Sequence, residues 1–180
     1  FCQRNLSYVE MPNATNMEDF AFCGCEKLKS VIFGNVRSIG GVSFENCGLL
    51  SCYMPTLEEI REPTIFGMFN FRGLKYCNMP RLKRVGSWAF ADSDIQYAEF
   101  PELTGLSEHC FSGSSIKSFK FPKVSSIGEY AFEYCKGLRS FRLENEVTFG
   151  RFRFDPGSTF ESRTFMGCDS LQSIFVPNAR

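Results

Sequence analysis

Two apolar phrases alternate along the chain. The first places apolar residues at relative positions 0, +3 and +5 and usually closes on Pro: Leu6-Val9-Met11-Pro12, Leu28-Val31-Phe33-Gly34, Leu49-Cys52-Met54-Pro55 and Leu74-Cys77-Met79-Pro80. It continues as Ile95-Ala98-Phe100-Pro101, Ile116-Phe119-Phe121-Pro122, Leu138-Phe141-Leu143 and Leu171-Ile174-Val176-Pro177. The second is a Phe preceded by a small residue: Ala21-Phe22, Ser43-Phe44, Ala89-Phe90, Cys110-Phe111, Ala131-Phe132 and Thr164-Phe165. Three residues after that Phe stands a small residue, Cys25, Cys47, Ser93, Ser114, Cys135 or Cys168. Five residues before it stands an apolar one, Met17, Ile39, Val85, Leu106, Ile127 or Phe160. The intervals between successive Phe are 22, 46, 21, 21 and 33 residues. Self-similarity at such a period is the mark of a repeat architecture.

Each half of the repeat predicts an element. Positions +3 and +5 fall on one side of an extended chain and +2 and +4 on the other, so each phrase predicts a short strand with one inward face. Val124, Ile127, Ala131, Phe132, Cys135 and Leu138 fall at helical spacing, so the other half predicts a short helix or 3₁₀ turn. No single coil can bury its apolar side, so neighbours must stack. The expectation is a right-handed α/β solenoid of about eight coils, counted from the eight phrases. It has one parallel sheet, rungs ~4.8 Å apart, and short helical turns on the opposite face. The 46-residue interval holds two coils, one of them degenerate near Ile65-Phe66, where Pro63 breaks the helical half. The 33-residue interval holds an insertion at about 144–159. There, Val147-Thr148-Phe149 and Phe152-Arg153-Phe154 flank Gly150 and predict a hairpin that leaves the stack. Residues 1–180 read as one domain, and both ends fall within the pattern, which points to a fragment of a longer array capable of end-to-end self-association.

The run from Ile127 to Leu143 resembles the BspA-like, or Treponema-type, subclass of leucine-rich repeats, whose phrase is roughly I-G-x-x-A-F-x-x-C-x-x-L-x-x-I-x-I-P. The resemblance extends over nearly the whole chain, with departures around Glu59–Phe71 and Glu144–Thr159. It implies a leucine-rich-repeat stack that binds a protein on its concave face. It also implies a cell-surface or secreted, adhesion-type role toward a host or matrix protein. The alternative is a structural spacer or oligomerisation stack within a larger multidomain protein.

Composition narrows the chemistry. A formal net charge of +0 lacks the excess of Lys and Arg that a nucleic-acid binder uses to displace counterions. No apolar run reaches the ~18–20 residues that span a bilayer, so membrane insertion is not expected. Phe1-Cys2-Gln3-Arg4 does not open a signal peptide. The 21 Phe point to a slot that takes a ring each time it recurs. Of nine Cys, seven (Cys25, Cys47, Cys52, Cys77, Cys110, Cys135, Cys168) occupy repeat slots that face the core, where a thiol behaves as a small hydrophobe. Cys23-Gly24-Cys25 is the only close pair, and one His, His109, is too few for the usual zinc set. His109 beside Cys110 resembles a base and a thiol, but neighbours on a turn point apart. No nucleophile, base and orienting group converge, so the chain reads as non-catalytic, with no metal and no cofactor. Asn5-Leu6-Ser7 and Asn13-Ala14-Thr15 match the glycosylation sequon.

The outward strand positions carry the functional expectation. Four of the six Tyr fall on them: Tyr8, Tyr76 and Tyr97 in the +2 slot, which holds Ser in the other five coils, and Tyr53 in the +4 slot. With Ile32, and with Lys120 and Arg142 as a basic rim, they predict an aromatic patch for a protein or glycoprotein partner. Tyr76 and Tyr97 share one column on consecutive rungs and are expected to lie one rung spacing apart, ~4.8 Å. The competing reading is that the rings stack on one another and merely stabilise the sheet.

Overall fold

The structure is a computed structural model and describes residues 5–64, 70–149 and 163–179. In chain order the strands are β1 (Tyr8–Glu10), β2 (Asn16–Met17), β3 (Ser30–Ile32), β4 (Ser38–Ile39), β5 (Ser51–Tyr53), β6 (Glu59–Ile60), β7 (Tyr76–Asn78) and β8 (Arg84–Val85). They continue as β9 (Tyr97–Glu99), β10 (Gly105–Leu106), β11 (Ser118–Lys120), β12 (Ser126–Ile127), β13 (Ser140–Arg142), β14 (Glu146–Phe149), β15 (Ser173–Phe175) and β16 (Asn178–Ala179). All pairing is parallel between successive coils, with the apolar slots in register. Val9, Val31, Cys52 and Cys77 align across β1, β3, β5 and β7, and Met17, Ile39, Ile60 and Val85 across β2, β4, β6 and β8.

The odd-numbered strands are the predicted phrases. The even-numbered ones form a second side, in two ladders, β2-β4-β6-β8 and β10-β12-β14-β16, which the periodicity did not separate from the helical half. Ile39, Ile60, Val85, Leu106 and Ile127 are strand residues of that side, buried against the core. The phrase side itself is not one continuous sheet. It is split into β1-β3-β5-β7, β9-β11 and β13-β15.

The third side is not helical. Among the described residues the only helix is a 3₁₀ turn at Arg163–Phe165. The apolar spacing that imitates a helix is the inside of a turn, closed by bonds such as Cys135 N–H to the Phe132 carbonyl (3.2 Å) and Ser114 N–H to Phe111 (3.0 Å). Other donors point along the solenoid: Phe22 N–H to the Ser43 carbonyl (2.9 Å), Phe90 to Cys110 (2.9 Å), Phe111 to Ala131 (2.8 Å) and Phe132 to Thr164 (2.9 Å). An N–H that bonds the next coil cannot also build an α-helix. The residue two after each Phe has a positive φ, in Gly24, Asn46, Gly73, Asp92, Gly113, Tyr134 and Gly167, which ends any helical run.

The core is a column of stacked rings: Phe22, Phe44, Phe71, Phe90, Phe111, Phe132 and Phe165, with successive centroids 5.2–5.8 Å apart. Phe71 therefore fills the ring slot of the degenerate coil. Ile65-Phe66, the expected place, lies outside the described residues. Asn70 repairs the backbone of this coil. In regular coils the Phe N–H bonds the carbonyl of the residue before the next Phe. Here Phe44 N–H donates instead to Asn70 Oδ1 (2.9 Å), while Asn70 Nδ2 donates to the Gly40 carbonyl (3.1 Å).

The stack amounts to about six turns, not eight. All eight phrases form strands, but a strand is one side of a coil. Residues 65–69, after β5, and 150–162, after β13, lie outside the described residues, and after β15 the described residues stop at Ala179. The expected hairpin is also corrected. Val147-Thr148-Phe149 stays in the stack as β14, pairing Ile127 with Phe149 on β12, so Phe149 takes the inward slot assigned to Phe160. Phe160 and Phe152-Arg153-Phe154 lie outside the described residues.

Candidate functional site

The phrase strands are short and parallel, so their +2 and +4 side chains stand in columns on the outer face. Tyr8, Ser30, Ser51 and Tyr76 are in register, as are Glu10, Ile32, Tyr53 and Asn78. Tyr8, Tyr53, Tyr76 and Tyr97 are all exposed, Tyr76 most, at 72%. Ile32 is half-buried between Glu10 and Tyr53. Leu50, just before β5, is 40% exposed and its carbonyl accepts the Tyr76 N–H (3.1 Å). It is a further exposed apolar residue at the edge of this face, next to β5. Counting only +2 and +4 as outward missed it.

Two expectations about this face are corrected. Tyr76 closes one ladder and Tyr97 opens the next, because β7 does not pair with β9. The patch is therefore centred on Ile32, Leu50, Tyr53 and Tyr76, with Tyr97 across the break. Nor is the far end a free basic rim. Lys120 Nζ bonds Glu99 Oε1 (2.9 Å), and Glu99 also accepts from the Tyr97 hydroxyl (3.1 Å). These bonds hold the Glu99 carboxyl below its ordinary range and the Lys120 ammonium above its own. Arg142 bonds Glu144 (2.6 Å) and covers the ring of Phe175 at 4.2 Å. Tyr8 likewise donates to Glu10 (2.8 Å). Among the described residues no ring contact joins these tyrosines, whereas the core rings are stacked throughout.

The other candidates resolve by position. Cys110 is fully buried and burial pushes its thiol up, while the His109 ring stands on the outer corner between Trp88 (3.8 Å) and Tyr130 (4.6 Å). The two side chains serve opposite sides of the turn and do not form a catalytic pair. His109 Nδ1 lies 3.2 Å from Glu133 Oε2, and desolvation lowers the imidazole below its ordinary value despite that carboxylate. Cys25, Cys52, Cys110 and Cys135 are buried and Cys47, Cys77 and Cys168 half-buried. Burial pushes Cys47 and Cys77 up to about 12.

One further concavity lies on the second side, where Gly105 leaves out a side chain between Arg84 and Ser126. It is an open groove of about 440 Å³ whose walls include Glu59, Glu62, Lys83 and Arg84. Arg84 is bonded to Glu59 (2.9 Å) and Glu62 holds Ser87 N–H (2.8 Å) and Ser107 Oγ (3.0 Å), so these charged walls hold one another. It lacks the apolar lining of a small-molecule pocket. Among the described residues no group of acidic, His and Cys side chains is arranged to hold a metal ion, and no helix is long and apolar enough to cross a membrane.

No curated protein and no solved structure matches the chain. The family model for the BspA type leucine-rich repeat region does, in six copies over residues 1–104 and 65–179. Shared register, a ring in every coil and repeat-slot thiols agree with that match, and the chain belongs to the BspA-type leucine-rich repeat family, a family of repeat proteins for protein interaction.

Proposed function

We propose that this chain is a non-catalytic interaction module that docks a protein or glycoprotein on the outer face of its phrase strands, as part of a cell-surface or secreted, adhesion-type protein. The exposure of Tyr76 carries the reading. A ring that is 72% exposed costs solvation and contributes little packing, in a column whose neighbours are Ser51 and Ser30. Tyr53 and Leu50 extend the area, while the charged groups around Tyr8, Tyr97, Lys120 and Arg142 form a polar margin. An aromatic centre inside a polar rim is the composition of a protein-binding hot spot. The cell-surface or secreted assignment and the matrix or host partner follow from the family alone.

The test is binding of the immobilised chain to a panel of extracellular-matrix proteins and glycoproteins, with Tyr53→Ala and Tyr76→Ala beside the parent. Saturable binding that both variants weaken supports the reading; binding that neither variant changes removes this face from it. The second reading, a spacer or oligomerisation stack, draws on β15, where Ile174 is 54% exposed although its slot faces the core in other coils. Sedimentation that shows concentration-dependent association, abolished by Ile174→Lys, favours it.

A further inference from the structure

At the edge of the outer face, the position just before each phrase strand forms a column of its own. Leu50 N–H donates to the Lys29 carbonyl (2.9 Å) and Lys75 N–H to the Leu50 carbonyl (2.9 Å). Lys29 and Lys75 therefore stand two rungs apart, roughly 10 Å by the usual strand spacing. Lys117 N–H repeats the bond on the Gln96 carbonyl (2.9 Å), and Arg139 holds the slot before β13. All these side chains are exposed, and no Asp or Glu occupies the slot in any of the eight coils. Elsewhere on the surface cations and acids bond one another, as Lys83 does with Glu58, Lys120 with Glu99 and Lys123 with Glu102. Among the described residues Lys29, Lys75, Lys117 and Arg139 take part in no ion pair. The next coil makes room for two of them. A Cβ at Gly48 would stand 2.4 Å from Lys29 Nζ, and one at Gly137 would stand 3.2 Å from Lys117 Cγ.

We propose that this column, with the exposed Tyr76 beside Lys75, binds a sulfated glycosaminoglycan chain. The inference rests on the docking reading above and names the part of a matrix glycoprotein that this face holds. A line of cations without counter-charges, in a chain of net charge +0, matches a linear polyanion lying along the stack. Sulfates recur along such a polysaccharide with its disaccharide unit, which suits cations on alternate rungs at Lys29 and Lys75. Each ammonium supplies charge-assisted hydrogen bonds to a sulfate. The negative face of the Tyr76 ring takes the C–H groups of a sugar ring between them. Nucleic acid is also a polyanion, but its binders carry an excess of Lys and Arg that this chain lacks. Past the break in the ladder, the coil of Gln96 places Asp94 and Glu99 near the column. The centre of the site is therefore the stretch from Lys29 to Lys75, with Lys117 and Arg139 as its continuation.

The test is binding of the full chain to immobilised heparin at neutral pH and about 0.15 M salt. A double variant, Lys29→Gln with Lys75→Gln, is compared with a second, Lys83→Gln with Lys123→Gln, which removes the same charge from ion-paired cations away from the column. Glutamine already fills the column slot as Gln96 and Gln172, so the column variant folds, and its melting temperature checks this. The parent should bind saturably, and the column variant about tenfold more weakly. The second variant should bind like the parent. Soluble heparin should compete, and desulfated heparin and duplex DNA should not. No binding by the parent, equal losses in the two variants, or equal competition by desulfated heparin or by DNA overturns the proposal. Its failure is separable from that of the docking reading. Matrix glycoproteins that bind through Tyr53 and Tyr76 equally well after enzymatic removal of their sulfated chains sink this inference and leave that reading standing. Heparin binding that needs the lysines, beside protein binding that neither tyrosine variant changes, does the reverse.

Discussion

Inside the stack, seven phenylalanines from Phe22 to Phe165 lie ring on ring through every coil, including the irregular one. On the outer face, Tyr8, Tyr53, Tyr76 and Tyr97 stand on their own rungs and share their columns with Ser and Asn. The inner column is required by packing. Each coil adds a ring to the column in the same core slot, and a stacked pair also gains ~0.5–1.5 kcal/mol beyond its buried area. The outer column is required by nothing in the coil, since the parallel ladder forms equally well through Ser30 and Ser51. Rings that the fold does not need are candidates for a partner, and rings that it needs are not.

The comparison breaks most visibly at the core. Phe111→Ala should lose ~3–5 kcal/mol, because its ring is fully buried between Phe90 and Phe132 and the neighbouring coils cannot collapse into the gap. Urea unfolding followed by circular dichroism measures it, and a loss no larger than that of an outer tyrosine would mean that the column is not structural. Asn70→Ala comes next. It leaves the buried Phe44 N–H without its acceptor, an expected cost of ~1–3 kcal/mol. Amide hydrogen exchange at Phe44 should accelerate more than exchange at Phe111, whose partner is backbone.

On the outer column the order reverses between stability and binding. Tyr76→Ala should shift stability by no more than ~0.5 kcal/mol and weaken partner binding by ~1–3 kcal/mol. Tyr97→Ala should weaken binding less, since Tyr97 lies across the break in the ladder and its hydroxyl is held by Glu99. Equal stability losses for Tyr76→Ala and Phe111→Ala would erase the distinction between the columns.

The smallest effect belongs to the corner stack of Trp88, His109 and Tyr130, which belongs to neither column. The folded state depresses the His109 imidazole below its ordinary 6.5. The neutral ring therefore contributes stability that is present above that pH and is lost as pH falls through the lower folded value. The groups facing it are Glu108, Glu129 and Glu133, which oppose the shift, with Arg163 beyond Tyr130. Melting temperatures of the parent and His109→Gln should run parallel above neutrality, with the parent losing more below it.

Much of this was legible in the residues. The ring slot, the small slot after it and the eight phrase strands stand at their numbered positions because side-chain size and polarity report burial directly. The second side was not legible. Ile39, Val85 and Ile127 sit at spacings that a strand–turn and a helix share, and only the direction of the N–H groups separates the two. Phe71 was hidden because it stands three residues before Leu74, where the Phe of other coils stands five or six before its phrase. Asn70 carried no signal at all, since a buried polar residue is recognised by what it bonds. For the outer face, Tyr53 and Tyr76 were readable from alternation, while Leu50 and the pairing of Lys120 and Arg142 with acids required neighbours in space.

What the sequence by itself determined is the repeat and its inner face. Every coil has the same apolar side to bury, so stacking is the one arrangement that removes those residues from water. The tertiary structure decided how the coils hold one another. Backbone N–H groups on the third side bond the next coil instead of their own turn, left-handed residues from Gly24 to Gly167 stop a helix from competing, and β7 and β9 fail to pair, dividing the outer face. Those outcomes depend on backbone direction and on groups a whole coil away. A side-chain pattern records which way a residue faces, but not which coil its backbone bonds.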